Sequence, residues 1–303
     1  MTRQAPSAPA WTQRRERSHP WLLRLMVWIS LTAGRPLGRL VLRGIASYFV
    51  LFAPAARRAS RAFLTRVLDR PARLRDVYRH VLWFASTIHD RVFLLRGDGR
   101  PLQVEIVGAE VLHDALAAGR GALLMGAHFG SFEVLRAAGR QRAGLRVGMV
   151  MYEDNARKVN DTLRAINPEA MQDIIPLGRA DSMLAVRDRL DEGWLVGLLA
   201  DRSIGGDAGV PVSFLGSEAR FPTGPWRLAM MLRRPVFLMA GLYLGGNRYQ
   251  LRFERLVDFS SVPPGQRQAA IDGAARTYAS ALERLVRESP WNWFNFFDFW
   301  EPR

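Results

Sequence analysis

Between residues 102 and 256 seven short apolar runs recur, most of them separated by segments with helical spacing. The runs are Leu102–Gly108, Ala122–Ala127, Val147–Tyr152, Asp173–Leu177, Trp194–Ala200, Val236–Leu244 and Tyr249–Leu256. Helices are expected at Ala109–Ala118, Ser131–Ala138, Ala156–Ile166, Asp181–Asp191, within Phe221–Leu232 and at Gln266–Arg287. A strand that is apolar throughout is buried on both faces. Such strands separated by helices build a mainly parallel sheet. The fold expected is α/β, with a mainly parallel central sheet flanked by helices. Sites in such sheets lie at the carboxyl ends of strands. His128, Asn155 and Asp201-Arg202 each follow a strand, which directs them toward one cleft.

The N-terminal third has a different character. Residues 1–20 are rich in Pro, Ala, Ser and Arg and read as a disordered tail. Residues 21–100 read as a basic, membrane-associated helical region, and residues 101–303 as the catalytic domain. Residues 1–100 hold 19 Arg against 5 acidic residues, a net of +14, out of +15 for the whole chain. Trp21–Ala33 and Leu40–Ala53 are apolar runs, broken by Gly34-Arg35-Pro36 and stopped by Pro54. Neither reaches the roughly 20 residues needed to span a bilayer. Two short helices lying in the membrane face suit them best, with Trp21, Trp28, Tyr48 and Phe49 at headgroup depth and arginines snorkelling. A buried helical hairpin and a single span are the alternatives. The arginines flank apolar runs, which suits lipid better than nucleic acid.

There is no cysteine, which excludes disulfides, thiolate catalysis and thiolate metal sites. His80 and His89 read as ordinary helix residues. No histidines stand at metal-ligand spacing beside His89-Asp90, so no metal is expected.

The stretch that carries chemistry is Gly121–Arg136. His128 follows a buried run, and Glu133 stands five positions on, in the first turn of a new helix. A carboxylate in reach fixes the tautomer of an imidazole, and the imidazole can then take a proton from a hydroxyl or amine attacking a carbonyl. Glu133 is thus the expected partner of the base. Gly130 is expected to let a substrate approach the backbone. Ser131 reads as a helix cap, and the N–H groups near Gly130-Ser131 are one candidate for oxyanion donors, with Arg157, Arg164 or Arg202 as others. Arg157, Arg164 and Arg202 are candidate anion holders, and Asp201 a candidate site residue or structural partner of Arg202. A hydrolase triad of His128, Ser131 and Glu133 is disfavoured, because no nucleophile elbow surrounds Ser131.

GAHFGS, then LADRS, then FLGSEARFPTGPWRLA form an ordered set. The set resembles the lysophospholipid acyltransferase superfamily, within it the lipid A late acyltransferase branch, from about residue 20 to the C-terminus. His128 and Glu133 fit that family's His-x4-acid motif, and Asp201 its aspartate after a later strand. Phe214-Leu215-Gly216 and Pro222-Thr223-Gly224-Pro225 resemble its following block. LADRSIGG and Trp291–Trp300 look closer to predicted acyltransferases of aryl-polyene pigment pathways. The resemblance implies acyl transfer from an acyl carrier protein or CoA thioester to a hydroxyl or amine of a lipid or glycolipid acceptor. It implies the cytoplasmic face of a bacterial inner membrane and no cofactor. Lipid A itself is the alternative acceptor. A non-catalytic membrane-surface protein is the alternative of another class. Trp291–Trp300 reads as a segment packed over the sheet, or as an aromatic wall beside an acyl chain. Asn292, Asn295 and Asp298 would share one polar face were it helical.

Overall fold

The computed structural model describes residues 20–97, 102–140, 145–151, 167, 173–177, 181–202 and 209–300, leaving aside the side chains of residues 20–26 and 29. Asn155, Arg157, Arg164, the helix expected at Ala156–Ile166 and most of the expected tail lie outside the described residues.

The strands are β1 (Gln103–Val107), β2 (Ala122–Gly126), β3 (Val147–Met151), β4 (Ile174–Pro176), β5 (Leu195–Leu199), β6 (Val210–Phe214), β7 (Ser217–Phe221), β8 (Pro235–Tyr243) and β9 (Arg248–Asp258). Seven of them form one sheet in the order β1-β9-β8-β2-β5-β3-β4. β8, β2, β5, β3 and β4 run parallel, as the continuous apolar runs imply. β9 turns back antiparallel to β8, and β1 pairs parallel to β9. The reversal has a simple cause. Only four residues separate β8 from β9, and a parallel crossover needs a dozen or more.

All five residues of β2 are buried, and side chains alternate between the sheet's faces. Leu123 and Met125 join the apolar cluster containing Tyr278 and Leu282 of a helix at Arg267–Glu288, whereas Ala122 and Leu124 join Val134 and Leu135 on the other face. β6 and β7 form a separate antiparallel hairpin, where the sequence predicts no strand. Its tight turn holds Leu215 and Gly216 at φ 52° and 76°.

Helix α1 (Pro20–Phe52) is two pieces joined at Gly34 (φ 78°, ψ 173°), two residues before Pro36, so the expected break is present. It is followed by α2 (Pro54–Leu68) and α3 (Leu74–Arg96). Leu42, Ala46 and Val50 of α1 are buried, while Trp28, Leu40, Tyr48, Leu51 and Phe52 are exposed. A buried carboxylate locks α1 to α3. Asp90 accepts from Arg35 Nε at 2.8 Å, Arg39 at 2.6 Å and the Tyr249 hydroxyl at 2.7 Å. No single described helix is long and apolar enough to cross a membrane. Ser30–Phe52 and Pro54–Leu68 qualify only together, bent by 95°.

The chain closes on an irregular segment after the Arg267–Glu288 helix. One 3-10 turn spans Pro290–Asn292, and the segment from there to Trp300 is not helical. The shared polar face expected for Asn292, Asn295 and Asp298 is therefore absent: Asn292 and Asn295 are both fully buried. The aromatic rings are packing material. Trp293 lies against Phe63, Phe214 and Phe299 with ring centroids 4.8–5.3 Å apart.

Candidate active site

β2 and β5 are parallel neighbours, and their last paired residues are Gly126 and Leu199. Each chain runs on by two residues, to His128 and to Asp201. Equal offsets beyond a parallel pair bring the two side chains level. His128 Nδ1 lies 2.9 Å from Asp201 Oδ1, and the His128 backbone N–H donates to Oδ2 at 3.1 Å.

An ionised carboxylate only accepts, so Nδ1 carries the proton and Nε2 is the basic nitrogen. No hydrogen bond to Nε2 forms among the described residues, and the His128 side chain is 35% exposed against 0% for Asp201. Burial pushes the Asp201 carboxyl up, but His128, Arg202 and the Trp293 N–H outweigh it and hold it well below the usual carboxylate range. For His128, removal from water and the Arg202 charge outweigh Asp201 and lower the imidazole below its ordinary value. At neutral pH the pair is a neutral imidazole beside an ionised carboxylate, the state a general base requires.

The loop after β2 is bolted down on two sides. Gly130 N–H donates to Asn292 O and Ser131 N–H to Gly241 O, both at 2.8 Å, and Phe294 N–H donates to His128 O at 2.8 Å. The Asn292 amide in turn bonds the backbone N–H and carbonyl of Tyr243. Gly130 sits at φ +59°, where a Cβ would come within 1.9 Å of Gly241 O. These contacts correct two expectations. Gly130 is a glycine because the loop abuts β8, not to admit substrate. The N–H groups of Gly130 and Ser131 are already paired, so they are not free oxyanion donors. Ser131 directly precedes a helix at Phe132–Arg140.

Glu133 is the larger correction. It is 3% exposed, and its oxygens take Arg136 at 3.0 Å and Arg140 at 3.5 Å. Arg136 also reaches Asp173. Among the described residues no hydrogen bond joins Glu133 to His128. The first turn of the Phe132–Arg140 helix carries it inward, into an ion-paired cluster, while His128 stands outside the helix. The carboxylate bonded to the His128 ring is Asp201, 73 residues downstream.

Arg202 is committed as well. It donates to Phe294 O at 2.7 Å and lies over the Phe297 ring, so it fastens the C-terminal segment. The sequence does not single out Trp293, and His80 reads there only as an ordinary helix residue. Trp293 Nε1 donates to Asp201 Oδ2 at 3.1 Å. His80 Nε2 donates to Trp293 O at 2.9 Å, and its Nδ1 lies 2.8 Å from Ser60 Oγ. Burial holds His80 neutral, with its pKa pushed down to about 4. The aromatic richness of Trp291–Trp300 was the signal that this segment matters, but nothing in it singled out one indole.

The arrangement can remove a proton from a hydroxyl or amine at Nε2 while Asp201 stabilises the imidazolium that forms. The family model described as bacterial lipid A biosynthesis acyltransferase matches residues 15–301. Among curated proteins none matches.

Proposed function

The chain belongs to the bacterial lipid A biosynthesis acyltransferase family, and from that premise we propose that His128 is the general base of its acyl transfer. Membership makes the protein a transferase of lipid biosynthesis. The donor we assign is a fatty or polyene acyl thioester of an acyl carrier protein or CoA. The acceptor is a hydroxyl or amine of a lipid-like molecule, with lipid A itself the alternative. In the step, His128 Nε2 takes the acceptor's proton as its oxygen or nitrogen attacks the thioester carbonyl. The tetrahedral oxyanion collapses, the C–S bond breaks, and His128 passes the proton to the departing sulfur, so that a thiol leaves and the base is regenerated. No protein nucleophile or metal is needed. Asp201 replaces Glu133 as the carboxylate that holds the tautomer.

The observation that carries this reading is the 2.9 Å contact from Asp201 to His128 Nδ1, together with an Nε2 that has no hydrogen-bond partner among the described residues. The exposed apolar side chains of α1, beside the exposed Arg43 and Arg58, support attachment to the cytoplasmic face of the inner membrane. The test is transfer of label from acyl carrier protein to inner-membrane extract by wild type and His128→Ala. Wild type should transfer, and a folded His128→Ala should not. Transfer retained by that variant removes His128 from the reaction. Membrane binding without transfer by wild type supports the non-catalytic reading.

A further inference from the structure

We infer that Trp293 is a positioning residue for acyl transfer: its indole N–H holds Asp201 in place, and through Asp201 it sets the orientation and proton affinity of His128. The inference rests on the proposed role of His128 as base, and it adds a residue from the far end of the chain.

The geometry is specific. Asp201 is fully buried, and its oxygens are shared among three donors within 3.1 Å. Two come from His128 itself, so they cannot fix the carboxylate independently of the group it must orient. The third is Trp293 Nε1. Arg202 Nε stands farther off, at 3.8 Å from Oδ2. Trp293 is in turn over-determined. It is fully buried, its carbonyl accepts from His80, and its ring is boxed by Phe63, Phe214 and Phe299. A rigid N–H delivered by a side chain with two torsions is a good anchor for a buried carboxylate. An apolar ring in the same place would pack as well but leave Oδ2 under-satisfied.

Full burial of Trp293 keeps it from touching substrate, so its effect runs through the base. Removing the N–H leaves the Asp201 charge less shared, which strengthens its pull on the His128 proton and raises the proton affinity of the ring. Among the described residues, the other charged or titratable groups around the pair are Arg202, Tyr278 and the neutral His80, and a Trp293 substitution leaves all three in place.

The experiment compares full-length wild type, Trp293→Phe and Trp300→Phe in acyl transfer across pH, with the His128 ring followed by 15N NMR. Trp300 lies in the same segment but donates to Phe214 O at 3.2 Å, away from Asp201. Trp293→Phe should lower kcat by roughly ten- to a hundredfold with KM within about twofold. It should also move the acid limb of the profile and the His128 titration to higher pH, while Trp300→Phe moves neither. If Trp293→Phe does not fold, 3-benzothienylalanine placed at 293 keeps the ring shape and replaces only the N–H. A folded variant of either kind with wild-type kcat and an unmoved His128 titration overturns the inference. The two readings fail separately. Activity in His128→Ala sinks the base assignment, whereas an inactive His128→Ala beside a neutral Trp293→Phe sinks only the role of Trp293.

Discussion

Asp201 grips His128 twice, through Oδ1 to the ring Nδ1 at 2.9 Å and through Oδ2 to the backbone N–H at 3.1 Å. The first contact sets the tautomer, and the second fixes the loop that carries the ring. Asp201→Asn keeps the shape but offers a donor where an acceptor is required, which disfavours a bare Nε2. Transfer should fall by about 10³-fold or more with a modest change in KM. The pH dependence has a definite sign. The Asp201 charge raises the His128 pKa against burial and Arg202, so its loss should lower that pKa and move the acid limb to lower pH. That is opposite to the shift expected for Trp293→Phe. Rate profiles of the residual activity, read between pH 4 and 8, distinguish the two. An Asp201→Asn enzyme with wild-type rates removes Asp201 from the machinery.

Glu133→Gln separates the two carboxylates. Glu133 neutralises Arg136, which is 2% exposed, and Arg140 beside it. Removing one partner of a buried ion pair costs about 3–5 kcal/mol, because the other charge stays buried. Asp173 offsets part of that through Arg136. The variant should therefore lose stability by urea denaturation, while the folded fraction keeps the wild-type pH profile. A displaced acid limb at unchanged stability would restore Glu133 as the partner of the base.

The contrast between these two acids explains what could be read from the sequence. The sheet was legible because runs such as Leu123–Met125 and Val196–Leu198 are apolar without alternation, and only a doubly covered strand needs that. The convergence of His128 and Asp201 on one cleft was legible because both follow such runs. The partner of His128 was not. Sequence spacing favours Glu133, five residues away, and the deciding fact is non-local: β2 and β5 pair with Gly126 opposite Leu199. The β6–β7 hairpin escaped notice because Ser217, Glu218 and Arg220 give it the polarity of a loop. Trp293 escaped because one indole among several carries no mark of the carboxylate it will meet.

His80 makes stability depend on pH. Its pKa is about 4 when folded, against 6.5 ordinarily. As pH falls below 6.5 the unfolded chain takes up the proton first, so the folded state loses ground until about pH 4, where the loss levels off. The total is on the order of 3 kcal/mol. His80→Phe removes the titration but also two hydrogen bonds, so it should start less stable at pH 7 and decline less steeply. Urea midpoints of the two proteins at half-unit intervals from pH 7 to 4 give the difference. Parallel curves would mean that His80 is charged, or free to charge, in the fold.

Trp28, Leu40, Tyr48, Leu51 and Phe52 of α1 are each more than half exposed, and the Tyr48 and Phe52 rings lie 5.0 Å apart. Deleting the segment would be a poor test of membrane binding. It would also strip Leu42, Ala46 and Val50 from the core and leave Asp90 without Arg35 and Arg39. Point changes on the exposed face avoid this. Burying one such aromatic side chain in the interface contributes about 1.5–3 kcal/mol, so Phe52→Asp should weaken binding to vesicles containing anionic lipid by at least about tenfold. Urea stability should move little, since the side chain already faces solvent. Raised salt should weaken the wild type further, through the flanking arginines. Co-sedimentation of the two proteins with such vesicles, at low and high salt, is the measurement. Equal binding by both would show that this face does not meet the membrane.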